Sequence, residues 1–181
     1  MNDLSLHIID IIQNSLSAGA GRIIVTVDEN LSEDLLTIII EDNGKGMSGE
    51  IVRKLEDPFY TTRTTRKVGM GIPLYKQSAL QSGGGLTIDS RVGEGTTVKA
   101  WFVHSNIDRP PLGDVANSFV LMVSANPDVH FVFKYVYNHN QYVFDSLEVA
   151  EVLGDISLSD VRVIKMVEEM IKENIKELKE G

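Results

Sequence analysis

From Asp3 to Ala18 apolar residues recur at helical spacing, with Leu4, Ile8, Ile11, Ile12 and Leu16 on one stripe. The pattern predicts an amphipathic helix that begins almost at residue 1 and is ended by Gly19 and Gly21. The other face of that helix carries His7, Asp10 and Asn14 at i, i+3 and i+7, a polar stripe that meets either solvent or a ligand. Two β-branched runs follow, Arg22 to Glu29 and Leu35 to Glu41, and the polar Asn30 to Asp34 between them makes them adjacent antiparallel strands. Ser48 is a natural N-cap, with Ile51, Val52 and Leu55 on one helical face after it. Asp57 to Leu74 shows no period and reads as a loop that becomes a helix start. Pro73 fits a first helical turn, and Leu74 to Leu80 continue helically until Gly83, Gly84 and Gly85. Leu86 to Val92 and Thr96 to His104, joined by Gly93-Glu94-Gly95, complete a sheet of at least four strands.

Past residue 105 the pattern changes. Pro110-Pro111 marks a junction, and a helix is expected from Gly113 to Ala125. Val129 to Tyr137 alternates, with Phe131, Phe133, Tyr135 and Tyr137 on one face. We read that aromatic stripe as a core face rather than a base-stacking platform. Asn138-His139-Asn140 turns the chain into a second strand, Gln141 to Phe144. The last element is a helix from Ser159 to Glu180 whose seam of Ile164, Val167, Ile171, Ile175 and Leu178 can pack on its own domain or on a second copy. The expected division is a first domain over residues 1–104 and an extension over residues 105–181 made of helix, hairpin and terminal helix.

Composition narrows the function. Lys and Arg number 17 against 26 Asp and Glu, for a net charge of -9, which argues against a nucleic-acid scaffold. No apolar run approaches the roughly 18 to 20 residues that a membrane helix needs. The N-terminus lacks a basic segment followed by an apolar one, so a cytoplasmic protein without membrane attachment is expected. The absence of cysteine excludes disulfides, thiolate metal sites and cysteine nucleophiles, and the 4 histidines form no ligand cluster.

The chemistry concentrates in EDNGKGM, Glu41 to Met47. Asp42 stands at a strand end, where its carboxylate can accept a hydrogen bond from an exocyclic amine such as adenine's. Gly44 and Gly46 let the backbone pass close to a flat ring. Asn43-Gly44 is also a hairpin signal, but a helix rather than a strand follows, which suits a ligand loop better. Gly69 and Gly71 fall at a helix N-terminus behind Arg63, Arg66 and Lys67. This is either an anion site suited to polyphosphate or a basic, threonine-rich surface loop.

Taken in order, these segments resemble the ATP-binding domain of the GHKL superfamily, shared by sensor histidine kinases, type II topoisomerases, mismatch-repair ATPases and a heat-shock chaperone. The resemblance covers roughly residues 1–104: HIIDIIQNSLSAGA resembles the N box, EDNGKGM the first glycine box, DPFYTTR the F box, VGMGIPL the second glycine box and GEGTTVKAWF the closing strand motif. It implies an α/β sandwich of mixed, mainly antiparallel sheet covered by helices, with the C-terminal part as a small α+β extension. It further implies that ATP or ADP binds with Mg2+, that Asn14 helps hold the metal, that Asp42 anchors adenine and that Thr97 reaches adenine through water. Gly44, Gly46, Phe59, Thr62, Arg63, Lys67, Gly69, Met70 and Gly71 shape the pocket, the lid and the phosphate loop in the same reading. Asp10 takes the place of the glutamate general base of the hydrolysing members, four residues before Asn14, and does not by itself decide between ATPase and kinase.

A sensor kinase presents a phospho-accepting histidine on a helical hairpin ahead of this domain, for which the sequence leaves no room; His7 lies inside the N box and lacks the acidic residue that follows an acceptor. The expected function is therefore that of a regulatory protein resembling a histidine-kinase or anti-sigma catalytic domain, one that transfers the γ-phosphoryl group to a separate partner protein. The alternatives are a nucleotide-gated binding module without transfer and a simple ATPase.

Overall fold

The computed structural model describes residues 3–57 and 71–181. Helix α1 (Leu4–Ser17) starts where Asp3 accepts the backbone N–H of Leu6, and it ends where Gly19 takes a positive φ of 76°. It leads into strands β1 (Arg22–Asn30) and β2 (Leu35–Asp42), which pair antiparallel with Ile23 opposite Asp42 and Glu29 opposite Leu36. Helix α2 (Gly49–Glu56), capped by Ser48, and helix α3 (Gly71–Gln81) precede strands β3 (Gly85–Arg91) and β4 (Gly95–Val103). Helix α4 (Val115–Ala125), strands β5 (His130–Tyr137) and β6 (Asn140–Asp145), and helices α5 (Ser146–Leu153) and α6 (Val161–Glu180) complete the chain.

The strands form one sheet in the order β3-β4-β2-β1-β5-β6. Every pairing is antiparallel except β1 with β5, so the sheet is mixed and mainly antiparallel, as expected. The division expected at residue 104 is not a break in this sheet, because β5 lies directly against β1, with Val25 beside Phe133. Period-2 alternation sends Ile23, Val25 and Val27, Leu36, Ile38 and Ile40, Val98, Ala100 and Phe102, and Phe131, Phe133 and Tyr135 to the buried, helix-covered face. Burial of such side chains contributes roughly 1.5 to 3 kcal/mol each before ordering entropy is subtracted.

The aromatic stripe of β5 is core. Phe119 of α4 stacks on Phe133 at 5.0 Å and meets Phe131 and Phe144 edge-on at 5.8 and 5.7 Å. The seam of α6 packs on its own chain: Val163, Val167 and Ile171 are buried, while Ile164, Ile175 and Leu178 line the margin of the core. Helix α5 was not expected from the sequence. Asp145 caps it by accepting the Leu147 N–H at 2.9 Å, and its Val149, Ala150 and Leu153 reach the core margin. Among the described residues, no helix is long and apolar enough to cross a membrane.

Candidate functional site

Asp42 ends β2 on the helix-covered face, and both of its carboxylate oxygens are engaged. Oδ2 accepts the Ser15 hydroxyl of α1 at 2.6 Å, and Oδ1 accepts the Gly44 backbone N–H at 2.8 Å. Asn43 anchors the loop to the opposite side, its Oδ1 accepting the N–H groups of Gly21 and Arg22 at 2.8 Å each. Lys45 N–H donates to Ala18 O at 2.9 Å. The end of α1 and the glycine loop are thus fastened together over several bonds. Glycine is required at two places here. A Cβ at Gly44 would come within 2.9 Å of Ala18, and Gly46 combines φ of 70° with the Arg91 carbonyl 1.9 Å from where its Cβ would stand. Asn43-Gly44 is consequently the start of a loop into α2 rather than a hairpin turn.

Beside Asp42, in cross-strand register, stands Thr96 of β4, and beyond it Ser90 of β3. Ser90 Oγ and Thr96 Oγ1 share a 2.7 Å hydrogen bond, and Ser90 Oγ also accepts the Met47 N–H at 2.8 Å, closing the glycine loop against β3. This row bears on the choice between two neighbouring threonines. Thr97 pairs with Glu41 and Asp89, one residue out of phase with Asp42, so strand alternation turns its side chain to the opposite face of the sheet. It is Thr96 that shares a face with Asp42. An open recess of about 260 Å3 lies at this end of the sheet, with Asp42, Ser90, Gly95, Thr96 and Thr97 in its wall.

The polar stripe of α1 faces α3 rather than bulk solvent. Asp10 lies against the first residue of α3: a Cβ on Gly71 would stand 3.6 Å from Asp10 Oδ2. Partial burial there raises the carboxyl's pKa above its ordinary value. One turn further along α1 is Asn14, half-buried, next in sequence to the Ser15 that holds Asp42. His7 is 2% exposed and stacked on Tyr75 of α3, ring centroids 4.7 Å apart, with Nε2 3.3 Å from Ser78 Oγ. Burial lowers its pKa to about 4, so it is a neutral packing residue at pH 7. Asp10 thus meets Gly71 at the start of α3, while Asp42, Gly44 and the end of α1 are joined at the end of β2. Phe59, Thr62, Arg63, Lys67, Gly69 and Met70 lie outside the described residues.

Sequence reasoning passed over Ser15, Ser90 and Thr96. Ser15 carried a signal, its position directly after Asn14. Thr96 would have required knowing the register of β4 against β2 to a single residue.

The arrangement agrees with comparisons to known proteins. Residues 2–106 match the family described as histidine kinase-, DNA gyrase B-, and HSP90-like ATPase. Sensor histidine kinase WalK of Bacillus subtilis is 34% identical over 96 residues, which are 49% of this chain and 16% of that one. Sporulation kinase C of the same organism is 30% identical over 95 residues, 52% of this chain and 22% of that one. The chain thus spans about a fifth or less of these relatives. In three dimensions it is similar to the Aquifex aeolicus MutL ATPase domain complexed with ADP, at a TM-score of 0.50 and 18% identity over 84% of this chain and 69% of that one. With the family match extending over more than half its length, this chain belongs to the histidine kinase-, DNA gyrase B- and HSP90-like ATPases.

Proposed function

We infer that this site binds Mg-ATP and that the chain acts as a catalytic module passing the γ-phosphoryl group to a separate regulatory protein. The observation that carries this reading is the convergence on α1: Ser15 fixes the carboxylate that would read adenine, Asn14 precedes it directly, and Asp10, one turn before Asn14, lies where α3 begins. Asp42, as an acceptor, matches the 6-amino group of adenine and opposes the 6-oxo group of guanine. Thr96 replaces Thr97 as the hydroxyl in reach of the base. The N-terminus of α3, with the positive end of its dipole, suits the polyphosphate.

The donors present fit Mg2+. The donor assigned to it is the Asn14 amide oxygen, as suits a hard ion that takes few protein ligands and completes its shell with phosphates and water. When bound, Mg2+ would neutralise phosphate charge. In the transfer itself the bond from the γ-phosphorus to the bridging oxygen breaks, a bond to the partner's nitrogen or oxygen forms, ADP leaves, and the acceptor gives up its proton. Asp10 favours a second reading, hydrolysis, because a carboxylate with a raised pKa is a better base toward water.

The test begins with calorimetric binding of Mg-ATP and Mg-GTP. ATP should bind at least about tenfold more tightly, and no binding of any adenine nucleotide would refute the reading. γ-labelled ATP is then supplied with proteins captured by this chain, using wild type and Asp10→Asn. Label on a captured protein supports transfer. Release of labelled phosphate in its absence, lost in Asp10→Asn, supports hydrolysis.

A further inference from the structure

We propose that Ser15 is a positioning residue for nucleotide recognition: its hydroxyl sets the plane of the Asp42 carboxylate and thereby the strength with which the protein reads the 6-amino group of adenine. The proposal rests on the adenine-nucleotide reading of the site.

An ionised carboxylate offers about four lone-pair sites and no donor. The Gly44 N–H occupies one on Oδ1. That contact is local, two residues along the chain, and by itself leaves the carboxylate free to swivel about the Cβ–Cγ bond. The bond from Ser15 removes the freedom, since it reaches Oδ2 from a different element at 2.6 Å, the length of a charge-assisted O–H···O bond. Ser15 is 2% exposed and its single proton is committed to Asp42, so water cannot readily substitute for it. Two bonds from two elements define the carboxylate plane and leave its remaining lone pairs in a fixed direction beside the recess.

The placement on α1 gives the bond a second consequence. Ser15 follows Asn14 directly, so the residue that orients the base-reading carboxylate and the residue assigned to the metal move as one piece of helix. A shift of α1 along β2 would alter both ends of the nucleotide site together.

The test compares wild type and Ser15→Ala with two ligands, Mg-ATP and Mg-purine riboside triphosphate, which is ATP without the 6-amino group. Thermal melting of both proteins without nucleotide monitors the fold. If Ser15 acts through Asp42 on the amine, Ser15→Ala weakens ATP about tenfold, the scale of one hydrogen bond to a charged group, and leaves purine riboside triphosphate within about twofold. A merely structural role would weaken both ligands equally, and that result overturns the proposal, as does no loss for either. Wild-type protein that binds the two ligands equally well removes amine recognition by Asp42 and the proposal with it. Wild-type protein that binds neither refutes the nucleotide reading itself.

Discussion

Two carboxylates stand on the helix-covered face of the β1–β2 hairpin, one at each end, and they live in opposite circumstances. Asp42 has two partners and borders an open recess. Glu29 is 8% exposed and surrounded: His104 Nε2 lies 2.9 Å from Oε1, the Tyr135 hydroxyl donates to Oε2, and Lys179 at the end of α6 approaches Oε2 at 3.2 Å while lying over the rings of Tyr135 and Tyr137. Burial alone would raise the Glu29 carboxyl, but the bonds from Tyr135, His104 and Lys179 outweigh it and hold the group below the ordinary carboxylate range. A carboxylate whose acceptor sites are filled by its own chain is a fastening. One left with open lone pairs beside a recess is available to a ligand.

Substitutions at the two ends should therefore fail in different assays. Glu29→Ala carries the largest expected effect: it strands Tyr135 and opens a void, costing about 3 kcal/mol, or roughly 6 to 12 °C in Tm at this chain length. ATP affinity should stay within about twofold, and a tenfold loss of binding would show that the two ends are not separable.

Acid unfolding should proceed in two stages, the first set by His7 and the second by Glu29. The depressed pKa of His7 means that the unfolded state binds more protons between the ordinary value of 6.5 and about 4, so stability is full above 6.5 and declines as pH falls through that window, by up to about 3 kcal/mol. The Glu29 contribution, from a pKa held below 4.5, is intact above that value and is lost only at lower pH. His7→Phe should flatten the first stage of denaturant midpoint against pH and leave the second; an unchanged first stage would place its origin elsewhere.

Asp42→Ala should weaken ATP about 10- to 150-fold, equivalent to roughly 1.5 to 3 kcal/mol, and, because it leaves the Ser15 hydroxyl and the Gly44 N–H without their acceptor, should lower the Tm of the nucleotide-free protein as well, by less than Glu29→Ala does. Calorimetry and melting on one preparation check both halves. The smallest effect belongs to Lys179→Met. Its side chain is 41% exposed, so solvent screening limits the loss to about 1 kcal/mol or less, read as a small fall in denaturant midpoint.

The Asp42 loop stood out in the sequence as a candidate site and the cluster around Glu29 did not, for a physical reason. Asp42, Gly44 and Gly46 sit within five residues, and the helical period places Asp10 and Asn14 one turn apart, so local spacing conveys their relation. Glu29 meets His104, Tyr135 and Lys179 only because β1 is flanked by β2 on one side and β5 on the other, and no local period encodes that pairing. Thr96 and Thr97 show the limit in miniature, since a one-residue uncertainty in register exchanges the faces of a strand. Helix α5 was a different kind of omission. Asp145 followed by Glu148 three residues on is a readable helix-start signature, and the shortness of the element concealed it.

The parallel pairing of β5 with β1 has a practical consequence for anyone who trims this protein. Sequence likeness to the family stops at residue 106, whereas β1 leans on β5 along its whole length, from Arg22 beside His130 to Glu29 beside Tyr137. A fragment cut at the homology boundary would bare a long ladder of unpaired amides next to the apolar row of Ile23, Val25 and Val27, the template on which chains assemble edge to edge. The inherited unit and the unit that stays dispersed in a test tube have different ends.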